Sequence, residues 1–137
     1  MSISCGLRYG FSVTIDLTDF SESQERALFE LLILAMYADG HLTTFADKHL
    51  QQLLATMGFT EEIDRQREFD AAVTRVRPFV QSIHQAKEEV LSLATAFTTR
   101  SQQKRVYEAV EQMVMADQHV TSWESVLLME LRMKFRL

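Results

Sequence analysis

A short motif, Ala-Asp-x-His, occurs twice in this chain, at 38–41 and again 78 residues later at 116–119. Apolar residues on both sides of the two copies also keep the same helical phase. The matching pairs are Phe45 and Trp123, Leu50 and Leu128, Leu53 and Leu131, and Met57 and Phe135. Two unrelated helical sequences would share only some of these apolar positions by chance. The pattern therefore predicts two copies of one helix-loop-helix unit, packed together about a pseudo-twofold axis.

Helical periodicity extends over the chain from Ser21 onward. The segment 27–38 is apolar on almost every side, which is typical of a helix at the centre of a bundle. Start and stop signals, including Gly58 and Pro78, divide the remainder. The predicted helices cover 21–39, 43–57, 60–77, about 79–97, 101–116 and 121–135. The third helix is expected to bury a sparse apolar face of Ile63, Phe69, Val73 and Val76.

The N-terminal segment follows a different pattern, because apolar residues alternate with small or polar ones between Ile3 and Leu17. A period of two is typical of a β-strand. Gly6 and Gly10 interrupt the alternation and favour a hairpin or an extended arm over one long strand. A lone hairpin is only marginally stable in water. We therefore expect this segment either to pack on the helices or to mediate a homodimer.

Size and composition predict a single all-α domain. A chain of 137 residues with 47% hydrophobic residues can bury one core. We expect a compact helical bundle of about six helices, built from two pseudo-twofold helix-loop-helix units with a short N-terminal extended arm or β-hairpin. The divisions are an arm at 1–19, a first unit at 21–57, connecting helices at 60–98 and a second unit at 101–135.

Charge and cysteine content exclude several classes of function. The net charge of −5 disfavours a nucleic-acid partner, and a single cysteine cannot form an internal disulfide. The longest apolar run, 31–38, is far shorter than the ~20 residues that span a bilayer, so we expect no membrane insertion. The N-terminus does not read as a signal peptide. We expect a cytoplasmic protein.

The two motif segments resemble the TerB-like domain, a family named for tellurite-resistance proteins. The segments are ALFELLILAMYADGHLTT and VYEAVEQMVMADQHVTSWE, each an apolar helix that ends in Ala-Asp before a second helix. The resemblance covers most of 20–137 and implies a compact helical bundle. It also implies an accessory role in stress response, with proposed metal binding or scaffolding. The acidic residue expected seven positions after each aspartate is present as Glu124 but replaced by Ala46, with Asp47 one position later.

The two Asp-x-His loops supply the candidate metal ligands. Carboxylate oxygen and imidazole nitrogen are ordinary ligands for zinc and similar divalent ions. Each loop alone offers too few ligands, so a shared site requires that the loops converge or that neighbouring residues, His49 among them, contribute. The candidate ligands are Asp39, His41, Asp47, Asp117, His119 and Glu124. A structural role suits the same residues, since loop aspartates cap turns and histidines at helix C-termini interact favourably with the dipole.

Two carboxylates, Glu30 and Glu108, occupy equivalent positions inside apolar helical segments. A buried ionised carboxylate is costly unless it is paired. We expect an arginine partner, with Arg75, Arg77 and Arg105 as candidates, rather than a catalytic pair. Because no convergent nucleophile or base accompanies them, we expect no enzyme activity.

Four arginines, Arg65, Arg67, Arg75 and Arg77, concentrate positive charge on the third helix. They form either a solvated face or a docking surface for an acidic protein, and other proteins are the expected partners. The leading hypothesis is a non-enzymatic TerB-like interaction module, and the alternative is a protein that binds or senses a divalent metal ion through the two loops.

Overall fold

The computed structural model describes residues 16–39, 44–115 and 122–137. Within these ranges the chain is helical and contains no strand. The helices are α1 (Glu22–Asp39), α2 (Thr44–Thr56), α3 (Glu62–Val76), α4 (Ile83–Ala94), α5 (Arg100–Met115) and α6 (Ser122–Phe135), with a 3-10 turn (Arg77–Val80) before α4. The expected all-α helical bundle is confirmed.

Helix α1 lies at the centre of the bundle and contacts every other helix. All residues from Ala27 to Met36 are buried, including Leu28 and Ile33 with no exposed surface. A helix at the surface of a domain buries only one stripe, so burial on every side requires neighbours all round. The central position predicted from the apolar run is confirmed.

Helices α1 and α5 run parallel and side by side. Near their N-termini, the side-chain amides of Gln24 and Gln102 are 3.2 Å apart, and each amide donates to the other. Towards their C-termini, Ala35 of α1 and Val114 of α5 line the same cavity. Since early residues meet early residues and late residues meet late residues, both helices end at the same end of the bundle.

The spacing of 78 residues recurs in the helix boundaries. Helices α1 and α5 begin 78 residues apart, at Glu22 and Arg100, and α2 and α6 begin with the same separation. The caps are also equivalent. Ser21 Oγ accepts the backbone N–H of Gln24 at 3.2 Å, and Thr99 Oγ1 accepts that of Gln102 at 3.1 Å. Two capping hydroxyls at corresponding positions satisfy N–H groups that the first turn leaves free.

Helices α2 and α6 end in the same hydrogen-bonding pattern. The backbone N–H of Phe59 reaches the carbonyl of Leu54 at 3.0 Å, and that of Leu137 reaches Arg132 at 3.0 Å. Both patterns need a left-handed residue just beyond the helix, which is typical of a Schellman motif. Gly58 fills that position in α2 with φ of 111°, whereas Arg136 fills it in α6 with φ of 58°.

Replacing Gly58 with alanine is expected to lower the free energy of unfolding by about 1 kcal/mol, because a Cβ disfavours positive φ. A Cβ at this position would meet no atom within 4 Å, so the effect is conformational rather than steric. Arg136→Gly should act in the opposite direction, raising stability by about 0.5–1 kcal/mol. Urea denaturation measures both; a stabilised Gly58→Ala variant would contradict this explanation.

Two sequence expectations for α4 are wrong in detail. Pro78 ends α3 as predicted, but α4 begins at Ile83 rather than near residue 79. Ser82 has an extended backbone, and its hydroxyl accepts the N–H of Gln85 at 3.2 Å, which starts a new helix there. Residues 77–80 form the 3-10 turn instead of the first turn of α4. Phe97 lies beyond the end of α4, although it is buried as predicted.

Ile63 does not belong to the buried face of α3, since its side chain is 67% exposed. Ala72, which has no exposed surface, takes the central position with Val76. Ala72 comes nine positions after Ile63 in the helix, about two and a half turns, which places them on opposite sides. The prediction for Val76 is confirmed, and that for Ile63 is wrong.

The predicted N-terminal arm or hairpin falls mainly on residues 1–15, outside the described residues. Its last part, 16–19, is attached to α5. Arg105 donates one hydrogen bond to the carbonyl of Asp16 at 2.5 Å and another to the carboxylate of Asp19 at 2.6 Å. Buried Gln102 donates to the carbonyl of Asp19 at 2.9 Å. These bonds fix where the N-terminal segment reaches the helical body.

Candidate functional site

The end of the bundle where α1 and α5 finish contains a cavity of about 10 Å³, close to the volume that one water molecule needs. Its lining is apolar except for Glu124, from the first turn of α6. The apolar lining residues are Leu31, Ala35, Val90, Val110, Val114, Leu127, Leu128 and Leu131. Glu124 is only 2% exposed. A carboxylate near a helix N-terminus is favoured by the dipole, but its burial among apolar groups is costly unless it is hydrogen-bonded or paired.

The candidate metal ligands divide into described and undescribed residues. His41, Asp117 and His119 lie outside the described residues, and Asp39 is described only as the backbone end of α1. Asp47 is exposed on α2. Among the described residues, no group of three or more His, Cys, Asp and Glu side chains is arranged to hold a metal ion.

Residue His49, on the second turn of α2, is also buried, with 6% of its surface exposed. Histidine is intermediate between apolar and charged residues in how often it is buried. The sequence indicated His49 only as a helper to the loops. Its burial distinguishes it from Asp47, which stands two residues earlier in the same helix and is exposed.

Glu30 forms an ion pair with Arg75 of α3, with 2.5 Å between Oε2 and Nε. The Glu30 side chain is 11% exposed and the Arg75 side chain 43%. The predicted arginine partner for Glu30 is confirmed, whereas the expectation for Glu108 is wrong because Glu108 is exposed. Glu89 of α4 lies near this pair. Its burial, and secondly the negative charge of Glu30, raise the pKa of Glu89 above its ordinary value.

The four arginines of the predicted docking surface differ in their contacts and in their exposure. Arg65 donates to the carbonyls of Phe59 and Thr60, at 3.3 and 2.7 Å, and so fastens the corner between α2 and α3. Arg75 is engaged with Glu30. Arg67 and Arg77 are exposed, Arg67 beside Asp64 at 3.4 Å. Arg65 and Arg75 are therefore structural, whereas Arg67 and Arg77 keep exposed side chains, and Arg67 forms a surface ion pair with Asp64.

A second cationic surface lies on α6, where two methionines project into solvent. Met129 is 60% and Met133 67% exposed, and they stand one turn apart on the outer side of the helix. Arg132 of α6 and Arg136, just beyond the end of α6, are also exposed. Within the described part of the chain neither arginine pairs with an acidic side chain, and Arg132 donates a hydrogen bond to the backbone carbonyl of Leu137 at 3.2 Å. The two methionines and the two arginines are called the α6 face below.

An open groove of about 280 Å³ lies between α5 and the end of α6. Its lining residues are Lys104, Tyr107, Glu108, Glu111, Arg132 and Leu137. Burial, and secondly the charge of Glu111, raise the pKa of Tyr107, while Arg132 acts in the opposite direction. The phenol therefore stays protonated and can donate a hydrogen bond. Two cations and two carboxylates line this groove, so its charge selects no particular ligand.

Comparison with known proteins identifies no relative: no protein-family model, no curated protein and no solved structure matches this chain significantly. The TerB-like resemblance therefore stays a prediction from the sequence motif. Among the described residues, no helix is long and apolar enough to cross a membrane.

Proposed function

We propose that this chain is a non-enzymatic, TerB-like accessory protein that acts in a stress response, such as tellurite resistance, through contacts with other proteins. The observation that carries this proposal is the α6 face. Arginine and methionine are enriched in protein interfaces, and exposed methionine side chains adapt to differently shaped partners. Exposed Met129 and Met133 beside exposed arginines suit such an interface.

The exposed arginines of α3 and of the 3-10 turn that follows it are the second candidate docking surface. Arg67 and Arg77 remain in this role, whereas Arg65 and Arg75 are engaged inside the protein. Replacement of Arg75 would mix a binding effect with loss of its ion pair. Arg67→Glu with Arg77→Glu is therefore the appropriate test of this surface.

Cross-linking in cells tests the protein–protein role. We expect a tagged chain to cross-link to a defined protein during exposure to tellurite, and the yield to fall about tenfold in an Arg132→Glu, Arg136→Glu variant. The matched control is Lys48→Glu, Lys104→Glu, which changes the net charge equally at other exposed positions. An equal loss in both variants, or a deletion strain that survives tellurite like its parent, would contradict the proposal.

The two helix-loop-helix units are further proposed to be a duplication, related by a pseudo-twofold axis parallel to α1 and α5. The reciprocal bonds between Gln24 and Gln102 support this arrangement, because a residue on a twofold axis contacts its own equivalent. The two residues are 78 positions apart, the spacing of the Ala-Asp-x-His motifs. In this arrangement both loops belong to the same end of the bundle.

Metal binding at that end is the second candidate function. It is favoured by the parallel course of α1 and α5, which end together, and by the buried carboxylate of Glu124 near their ends. The two loops supply enough ligands for one ion only if they lie close together. The proposed ligands are Asp39, His41, Asp117 and His119, with Glu124 or Asp47 completing the set.

Isothermal titration of the protein with zinc, manganese and calcium tests this candidate. We expect saturable heat with zinc or manganese, and a loss of affinity of at least about tenfold in an Asp39→Ala, Asp117→Ala variant. Asp47→Ala alone reports whether α2 contributes a ligand. Heat in the wild type no larger than in the double variant would remove metal binding as a function of these loops.

A further inference from the structure

We propose that the α6 face binds a second copy of this chain through the acidic start of α3, giving a head-to-tail association that is weak and sensitive to salt. This inference rests on the proposed protein–protein role and adds a second copy of this chain to the partners of the α6 face. The juxtaposed features are Met129 and Met133 with their arginines on one copy, and Ile63 with Glu61 and Glu62 on the other.

The acidic start of α3 has the opposite charge to the α6 face and its own exposed apolar side chain. Ile63 is 67% exposed, the same fraction as Met133. Glu61 and Glu62 are exposed beside it, and neither takes part in an ion pair within the described part of the chain. Arg67 reduces the negative charge one turn later but is itself held by Asp64. An apolar centre with a charged rim is the usual composition of an interface.

The helix dipole explains the charges at these helix ends, but not the exposed apolar side chains. Acidic residues at the start of α3 and basic residues at the end of α6 are each favoured in an isolated molecule. Ile63, Met129 and Met133 gain nothing from the dipole and lose free energy by exposure to water. They account for three of the four large hydrophobic side chains exposed among the described residues. That these three stand beside opposite charges on two surfaces points to mutual burial.

The two surfaces cannot satisfy each other within one molecule. Helix α3 packs on α1 and α2, whereas α6 packs on α1, α4 and α5. The contact between copies therefore joins two different surfaces, and one copy can bind a neighbour at each side. Such a heterologous contact forms rings or open chains rather than a closed dimer. Two small apolar clusters and a few exposed ion pairs make it weak.

Sedimentation velocity measures this association directly. We expect the weight-average sedimentation coefficient of the wild-type protein to rise between micromolar and millimolar concentration, and the rise to disappear in high salt. Arg132→Glu with Arg136→Glu should weaken association at least about tenfold, as should Glu61→Lys with Glu62→Lys. Each variant then carries two surfaces of like charge. Lys48→Glu with Lys104→Glu is the control and should associate like the wild type.

An equimolar mixture of the two charge-reversed variants gives the decisive result. In the mixture each reversed surface meets a complementary one, so association should return to near the wild-type level. Thermal unfolding of each variant checks that the fold is intact, and Met129→Ser with Met133→Ser tests the apolar centre without changing charge. A wild-type protein that stays monomeric at low salt, or a mixture that associates no better than its components, overturns the inference. The cross-linking test in cells is read from a protein other than this chain, so failure of self-association does not imply failure of the proposed function.

Discussion

Replacing Phe97 with alanine is expected to lower the free energy of unfolding by about 3–5 kcal/mol. Phe97 is 2% exposed and lies between two other aromatic rings, with centroids 5.7 Å from Phe20 and 6.4 Å from Phe135. Its removal leaves a cavity and breaks both ring contacts, each of which stabilises beyond simple burial. Phe20 also lies under Arg105, at 5.0 Å. The variant therefore also weakens the attachment of the N-terminal segment to α5.

Urea denaturation followed by circular dichroism measures this loss, and Phe79→Ala is the matched control. Phe79 lies in the 3-10 turn and is only partly buried. Its replacement should therefore lower the free energy of unfolding by no more than about 1.5 kcal/mol. Phe97→Leu keeps most of the volume and should also cost about 1.5 kcal/mol. Equal losses for Phe97→Ala and Phe79→Ala would show that the three-ring cluster does not stabilise the fold.

The contrast between Phe97 and Ile63 shows what hydrophobic periodicity can and cannot predict. The pattern correctly indicated that Phe97 is buried, because a large apolar side chain gains free energy wherever it leaves water. It placed Phe97 inside α4, because no strong helix stop separates Ala94 from Phe97. Ile63 was predicted to be buried for the same reason. Whether an apolar residue of α3 is exposed depends on which sides of the helix are covered by neighbouring helices.

The candidate site was predicted only in part. The cost of burying a lone carboxylate indicated that Glu30 needs an arginine, but three arginines were candidates, and only the packing of α3 on α1 selects Arg75. The relative direction of α1 and α5 was also beyond the sequence. These helices are separated by three others, and a motif spacing carries no information on whether two such helices run parallel. The amide pair of Gln24 and Gln102 near one end, together with the cavity that Ala35 and Val114 share near the other, provides it.

Replacing Arg75 with methionine is expected to lower the free energy of unfolding by about 2–3 kcal/mol, because Glu30 would remain in the core without its partner. Removing one member of a fully buried pair costs about 3–5 kcal/mol. The Arg75 side chain is 43% exposed, so water reaches the vacated position and reduces the loss. Methionine keeps much of the aliphatic packing, which separates the effect of charge from the effect of volume.

A double-mutant cycle tests whether the loss comes from the pair. Glu30→Gln removes the charge that needs compensation, so Arg75→Met should cost at least about 1 kcal/mol less in that background. The control pair is Arg26 and Glu68, separated by 3.7 Å, with the Arg26 side chain 51% exposed. Arg26→Met should change stability by less than about 1 kcal/mol, as for other surface ion pairs. If Arg75→Met costs no more than Arg26→Met, or the same in both Glu30 backgrounds, the arginine does not compensate a buried charge and the carboxylate of Glu30 is satisfied in another way.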